Sequence, residues 1–265
     1  AGSLVILLAC ATVPITGRKQ LSLIPGSEML GMSAQQYGTF LKDAKLSKNA
    51  ADTALVRKVG VNIQRAVERY MNRHGMADQL AGYKWEFNLV ESEEVNAWCM
   101  PGGKVVVYSG LLPVTKDETG LAVVMGHEIA HVSEKHILDV IQRSKRLAGV
   151  TEAGLSYATS NPAAFKGVID GAVKKLLDEG LDQEKETEAD TVGEVFAARV
   201  GYDAEAYVGL LTRLRDLKGD DRALFKTHPN FSARIEAVQK TIRTKRLVSN
   251  GLVLQERFLR MTKRV

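Results

Sequence analysis

The stretch of this sequence best able to do chemistry is His127-Glu128-Ile129-Ala130-His131. On a helix, residues four apart share a face one turn away, so both imidazoles can reach a single ion. Zinc takes neutral imidazole nitrogen readily, and a catalytic zinc keeps three protein ligands with a further position open to water. Glu128 lies beside His127, where its carboxylate can reach that water without being a ligand. There it would accept the water's proton during attack on a scissile carbonyl and pass it to the leaving amine. The bland alternative is a pair of solvated imidazoles on a helix face. The apolar approach Leu121-Ala-Val-Val-Met-Gly126 argues against it by placing the motif partly inside, and Gly126 leaves room for close packing.

Two histidines need a third ligand, and Glu184-Lys-Glu186-Thr-Glu188-Ala-Asp190 offers one. Glu186 and Asp190 are four apart on a second expected helix, while Glu184 and Glu188 share a different face and point elsewhere. Glu186 can bind the ion, and Asp190 can accept the outer N–H of a ligand histidine, which fixes its tautomer. Alone, an acidic helix start is usually solvated and suits the helix dipole. Beside the histidine motif the balance reverses. His136, five residues past His131, falls on another helix face and is set aside as a ligand, and His74 is read as solvated.

These residues must be held by something. The spacing predicts helices over 27–46, over 51–72, from Asp117 or Thr119 through the histidine motif, over 181–200, from Asp203 to Leu217, and over 231–246. Tyr83–Val90 alternates as a strand, Pro101-Gly102-Gly103 is a turn, and Lys104–Tyr108 is a second strand. The stretch 137–180 is helix-compatible but punctuated by Gly154, Asn161-Pro162 and Gly167, and is where a lid could sit. The result is a helix-rich α+β domain with a small antiparallel or mixed sheet beside the active-site helix.

His127-Glu-x-x-His131 followed by Glu186-x-x-x-Asp190 resembles the M48 family of gluzincin metallopeptidases. The likeness extends to Asn96-Ala-Trp-Cys-Met-Pro-Gly-Gly-Lys-Val-Val-Val-Tyr-Ser-Gly110 and to Thr227-His228-Pro229 with Arg234-Ile235. It implies one zinc per chain on His127, His131 and Glu186, with Asp190 behind a ligand. His228 is the candidate second donor to the tetrahedral oxyanion; in some family members the equivalent histidine is thought to cover the metal and restrain activity. Val105–Tyr108 would offer an open edge to an extended substrate, with Asn96 and Ala97 touching it near the cleavage point. Prenyl-protein-processing members of the family span membranes several times, and no stretch here approaches that.

The chain opens Leu4-Val-Ile-Leu-Leu-Ala9-Cys10, a short apolar run that resembles the end of a bacterial lipoprotein signal, with a buried N-terminal strand as the alternative. On that reading residues 1–9 are a signal remnant, 10–26 a tether lipidated at Cys10, and 27–265 one peptidase domain. Cys99 is then a lone thiol, read as a small buried hydrophobe. Ala11 after the cysteine points by resemblance to the outer membrane, with the body in the periplasm. Two cysteines exclude a disulfide framework. A net charge of +5, partly from Lys240 to Arg264, fits a solvated helix face or contact with anionic headgroups, and the lack of interleaved aromatics excludes nucleic acid as a partner. The expected activity is zinc-dependent cleavage of unfolded or misassembled envelope polypeptides, in possible contact with envelope assembly machinery. The alternative is a chaperone-like assembly factor on a latent peptidase scaffold. A purely structural zinc is disfavoured, because such sites usually have four closed ligands.

Overall fold

The computed structural model describes residues 10–21, 25–140, 181–217, 228 and 230–245. In chain order these form a hairpin of β1 (Cys10–Thr12) and β2 (Lys19–Leu21), then helices α1 (Gly26–Asp43) and α2 (Ala50–Arg73). Strands β3 (Glu86–Val90), β4 (Ala97–Met100) and β5 (Lys104–Tyr108) follow, then a short helix α3 (Leu112–Thr115). Helices α4 (Glu118–Ser133), α5 (Gln183–Arg199), α6 (Glu205–Asp216) and α7 (Phe231–Lys245) complete the described elements. The class is helix-rich α+β, as expected. Most of the stretch in which a lid was expected, 141–180, lies outside the described residues, as do the signal-like residues 1–9.

Local chemistry sets the helix starts. Asn49 accepts from the backbone N–H groups of Ala51 and Asp52 to cap α2, Asp117 accepts from Gly120 to cap α4, and Asp182 accepts from Lys185 to cap α5. Helix α1 stops earlier than its apolar spacing predicts. Beyond Asp43 the chain is drawn onto the sheet, where Leu46 bridges Val90 and the Ser47 N–H donates to the Leu89 carbonyl.

The three-stranded sheet has the order β3-β5-β4, with β3 parallel and β4 antiparallel to β5. This corrects the expectation that Val105–Tyr108 is an open edge: β5 is the central strand, paired on both sides. Its run Val105-Val106-Val107 is fully buried, the unbroken apolar pattern of a strand covered on both faces. The edges are β3, met by Leu46 at Val90, and β4, the one beside α4, whose Ala97-Trp98-Cys99-Met100 carries no β-branched residue and so gives no strand signal in the sequence. Gly102 and Gly103, at φ 88° and 78°, turn β4 back onto β5, and a Cβ at Gly103 would sit 2.5 Å from the Trp85 ring.

Helix α4 is buried from Gly120 to Ser133 without a break. It runs between β4 and β5 on one side and α2, α5 and α6 on the others. An unbroken apolar segment, Leu121–Met125, is what a helix enclosed on every side requires. Cys99 is buried against this core, and burial pushes its thiol well up, which fits the small hydrophobe expected. Among the described residues no helix is long and apolar enough to cross a membrane.

Candidate metal centre

Helices α4 and α5 cross at two glycines. A Cβ at Gly193 would lie 2.7 Å from the His127 backbone nitrogen and 2.8 Å from the Gly126 carbonyl carbon. The backbones therefore touch, and this brings the histidine motif of α4 against Glu186 and Asp190 of α5. Gly193→Ala is expected to destabilise the protein by about 1–3 kcal/mol, because overpacking against rigid backbone outweighs the usual helical gain of alanine. Urea unfolding checks it; a stabilised variant would disprove the close crossing.

His127, Glu128 and His131 are all buried, as are Glu186 and Asp190 on α5 and Arg234 on α7. The His127 and His131 Nε2 atoms lie 2.9 Å apart. Glu186 reaches both, with Oε2 at 3.5 Å from His127 Nε2 and Oε1 at 3.3 Å from His131 Nε2. His228, also buried, puts Nδ1 at 3.0 Å and 3.1 Å from the two Glu186 oxygens and 3.3 Å from His127 Nε2. One potential ligand atom from each of His127, His131, Glu186 and His228 lies within 4.8 Å of the others. Pro229 lies outside the described residues.

The ring tautomers decide what belongs among these atoms. His127 Nδ1 sits 2.8 Å from Asp190 Oδ1 and must carry a hydrogen to donate there. His136 Nε2 sits 3.1 Å from Glu188 Oε2 and must donate as well, which leaves the Nδ1 of a neutral His136 bare. His131 Nδ1, 2.8 Å from that bare nitrogen, therefore carries the hydrogen between them. As neutral rings, His127 and His131 thus both turn an unprotonated Nε2 inward, toward each other and toward a carboxylate. Two lone pairs at that separation are satisfied only by a cation between them, and imidazole with carboxylate is a donor set that zinc accepts. A proton can stand in for the metal: burial and Arg234 oppose a charge on His127, yet Asp190 and Glu186 outweigh them and push it up to about 9. Burial also lowers His131, to well below the ordinary imidazole range.

The carboxylates are differentiated by their neighbours. Burial raises Asp190, but Arg234 and His127 outweigh it and hold the group at about 2. The Arg234 fork donates to both Asp190 oxygens at 2.8 Å and 2.7 Å, and its Nη1 lies 2.8 Å from Glu186 Oε2. Burial raises Glu186 too, but His228 and then Arg234 outweigh it and hold the group well below the carboxylate range. Glu128 moves the other way. Burial raises it, and its nearest ring is His228, whose Nε2 is 3.6 Å from Oε1.

Asn96 and Ala97 stand at the entry to β4. Asn96 donates from Nδ2 to Glu94 at 2.8 Å and accepts from the Ala97 N–H at 2.8 Å, while Ala97 is buried beneath the strand. Cys10 lies in β1, paired with Leu21. His74 is exposed and stacks on the Tyr70 ring at 4.1 Å. Sequence reasoning missed how near His136 and Glu188 come to the centre. In a continuous helix a spacing of five is off-face, but α4 ends at Ser133 and Lys135 takes φ 57°. That turn swings the fully buried His136 back beside His131.

Comparison with known proteins agrees with the geometry. The model of peptidase family M48 matches residues 59–242, more than half of the chain. The mitochondrial metalloendopeptidase OMA1 of Schizosaccharomyces pombe is 30% identical over 185 residues, covering 67% of this chain and 51% of the relative. OMA1 of Arabidopsis thaliana is 29% identical over 177 residues, covering 65% of this chain and 34% of its own. The beta-barrel assembly-enhancing protease of Escherichia coli is 32% identical over 162 residues, covering 57% of this chain and 33% of its own. The chain thus spans about a third to a half of the length of these relatives. The matched region contains α4, α5 and Arg234, and the chain belongs to peptidase family M48.

Proposed function

We propose that the protein is a zinc endopeptidase that cuts unfolded or misassembled polypeptides of the cell envelope. The observation that carries the reading is the convergence of the His127 and His131 Nε2 atoms, 2.9 Å apart, on the Glu186 carboxylate. When bound, zinc would polarise the scissile carbonyl and bring a water's pKa down toward neutrality. Glu128, a base raised by burial, takes that water's proton and returns it to the leaving amine. An extended chain would add to the edge of β4, beside α4, with Asn96 and Ala97 at its near end; only unfolded polypeptide offers such a strand. Next to Glu128 and His228 lies a small apolar cavity of about 20 Å³, lined by Val123, Leu210, Leu214 and Phe231, with room for a water molecule.

Placement at the outer membrane, through a lipid on Cys10 with the body in the periplasm, rests on the signal-like run before that cysteine. The naming of one set of relatives for β-barrel assembly supports envelope substrates and contact with the assembly machinery. A second reading, a latent scaffold that binds more than it cuts, is favoured by one feature. His228 lies close enough to Glu186 and His127 to fill the fourth metal position itself. His228→Ala separates its two roles: faster cleavage marks a cover, slower cleavage an oxyanion donor.

The test is casein cleavage by the purified chain with zinc counted per molecule. One zinc per chain, with cleavage lost to 1,10-phenanthroline and restored by zinc, is the expected result. Cleavage that survives full metal removal would overturn it.

A further inference from the structure

The two metal-binding histidines are steadied from opposite sides. His127 leans on Asp190 and Arg234, both buried. His131 leans on a chain of contacts that leaves the core: His131 Nδ1–H donates to His136 Nδ1 at 2.8 Å, and His136 Nε2–H donates to Glu188 Oε2 at 3.1 Å. Glu188 is in turn held by the N-terminal hairpin. Arg18 Nε donates to Glu188 Oε2 at 2.9 Å, and the Thr16 hydroxyl lies against Glu188 Oε1.

The hairpin is itself pinned at this point. Arg18 Nη2 donates to the Glu134 carbonyl at 2.9 Å, and the Thr16 N–H donates to Glu134 Oε2 at 3.2 Å. Val13, buried just ahead of the loop, closes it through its N–H to the Arg18 carbonyl at 2.8 Å. The loop between β1 and β2 therefore grips the residue after α4 and the first turns of α5 together.

We infer that Thr16, Arg18, Glu188 and His136 form a positioning relay that orients His131, so that the N-terminal hairpin is part of the metal centre. The polarity is consistent from end to end. Each imidazole gives one hydrogen outward, His136 receives one from His131 while the inner Nε2 of His131 stays bare for the metal, and the series ends on a carboxylate paired with Arg18. Such a series fixes the ring plane of His131 and raises the basicity of its inner nitrogen. A pull or displacement at the hairpin would be felt at His131 through three contacts in series. This rests on the metal reading of the site and adds the hairpin to it.

The experiment measures zinc affinity by chelator competition and the visible absorption of the cobalt(II)-substituted chain, with folding checked by circular dichroism. Glu188→Ala and His136→Ala are expected to weaken zinc binding by about 10–100-fold and to change the cobalt spectrum. His136→Gln, whose amide can both accept and donate, recovers part of the loss. Because His136 is buried and its removal can loosen the turn after α4, Arg18→Ala and Thr16→Val supply the test at the partly exposed end. Arg18→Ala is expected to lie near the lower bound, about 10-fold. Lys45→Ala breaks an exposed ion pair with Glu91 elsewhere and serves as the control with unchanged affinity. Folded Arg18→Ala and Glu188→Ala proteins with wild-type zinc affinity and cobalt spectrum would overturn the relay alone. A wild-type chain that takes up no zinc would overturn both the relay and the metallopeptidase reading.

Discussion

Glu128→Gln is expected to lower casein cleavage by about 10²–10⁴-fold while leaving zinc stoichiometry unchanged. The substitution keeps shape and volume and removes only the proton acceptor. Glu128 is not among the residues whose ligand atoms converge, so the ion has no reason to leave. Its side chain is buried, and burial works against its charge, so a neutral amide there does not weaken the fold. Equal stability, equal zinc and lost turnover together identify a base. Loss of zinc in the variant would instead make Glu128 a ligand, and residual activity above a tenth would leave the proton with another group. The arm that reads zinc is as informative as the arm that reads cleavage, because a covered site also cuts slowly but binds metal normally.

Much of this centre was legible in the sequence because helices have a fixed period. His127 with His131 and Glu186 with Asp190 each sit four apart, and that spacing alone puts each pair on one face. Strand pairing has no such local code. β5 was read as an edge because its own residues do not state how many neighbours they have, and β4 was missed for want of β-branched residues. His136 was set aside for a related reason. Its position depends on where α4 ends and on the left-handed Lys135, and neither follows from the spacing of apolar residues. The part played by Thr16 and Arg18 is more distant still, since the hairpin meets Glu188 across most of the chain's length. Contacts of that kind are set by packing, and no motif announces them.

Arg234→Met is expected to destabilise the metal-free protein by about 3–5 kcal/mol, a large share of the 5–15 kcal/mol that holds a typical domain together. The reason is what remains. Arg234 is buried and faces Asp190 through two hydrogen bonds and Glu186 through a third contact at 2.8 Å. Methionine fills similar space but leaves both carboxylates buried without their counter-charge. Arg234→Lys is a poor substitute, because a single ammonium cannot span the three oxygens that the planar fork meets. The loss should be smaller in the zinc-loaded protein, since a divalent cation near Glu186 replaces part of the missing positive charge. Unfolding in urea with and without zinc therefore gives a difference with a definite sign, larger without the metal. Asp190→Asn in the Arg234→Met background should recover part of the loss, as it removes one of the two stranded charges. If Arg234→Met costs less than about 1 kcal/mol without zinc, the range of an exposed pair, the guanidinium is not what keeps these carboxylates charged.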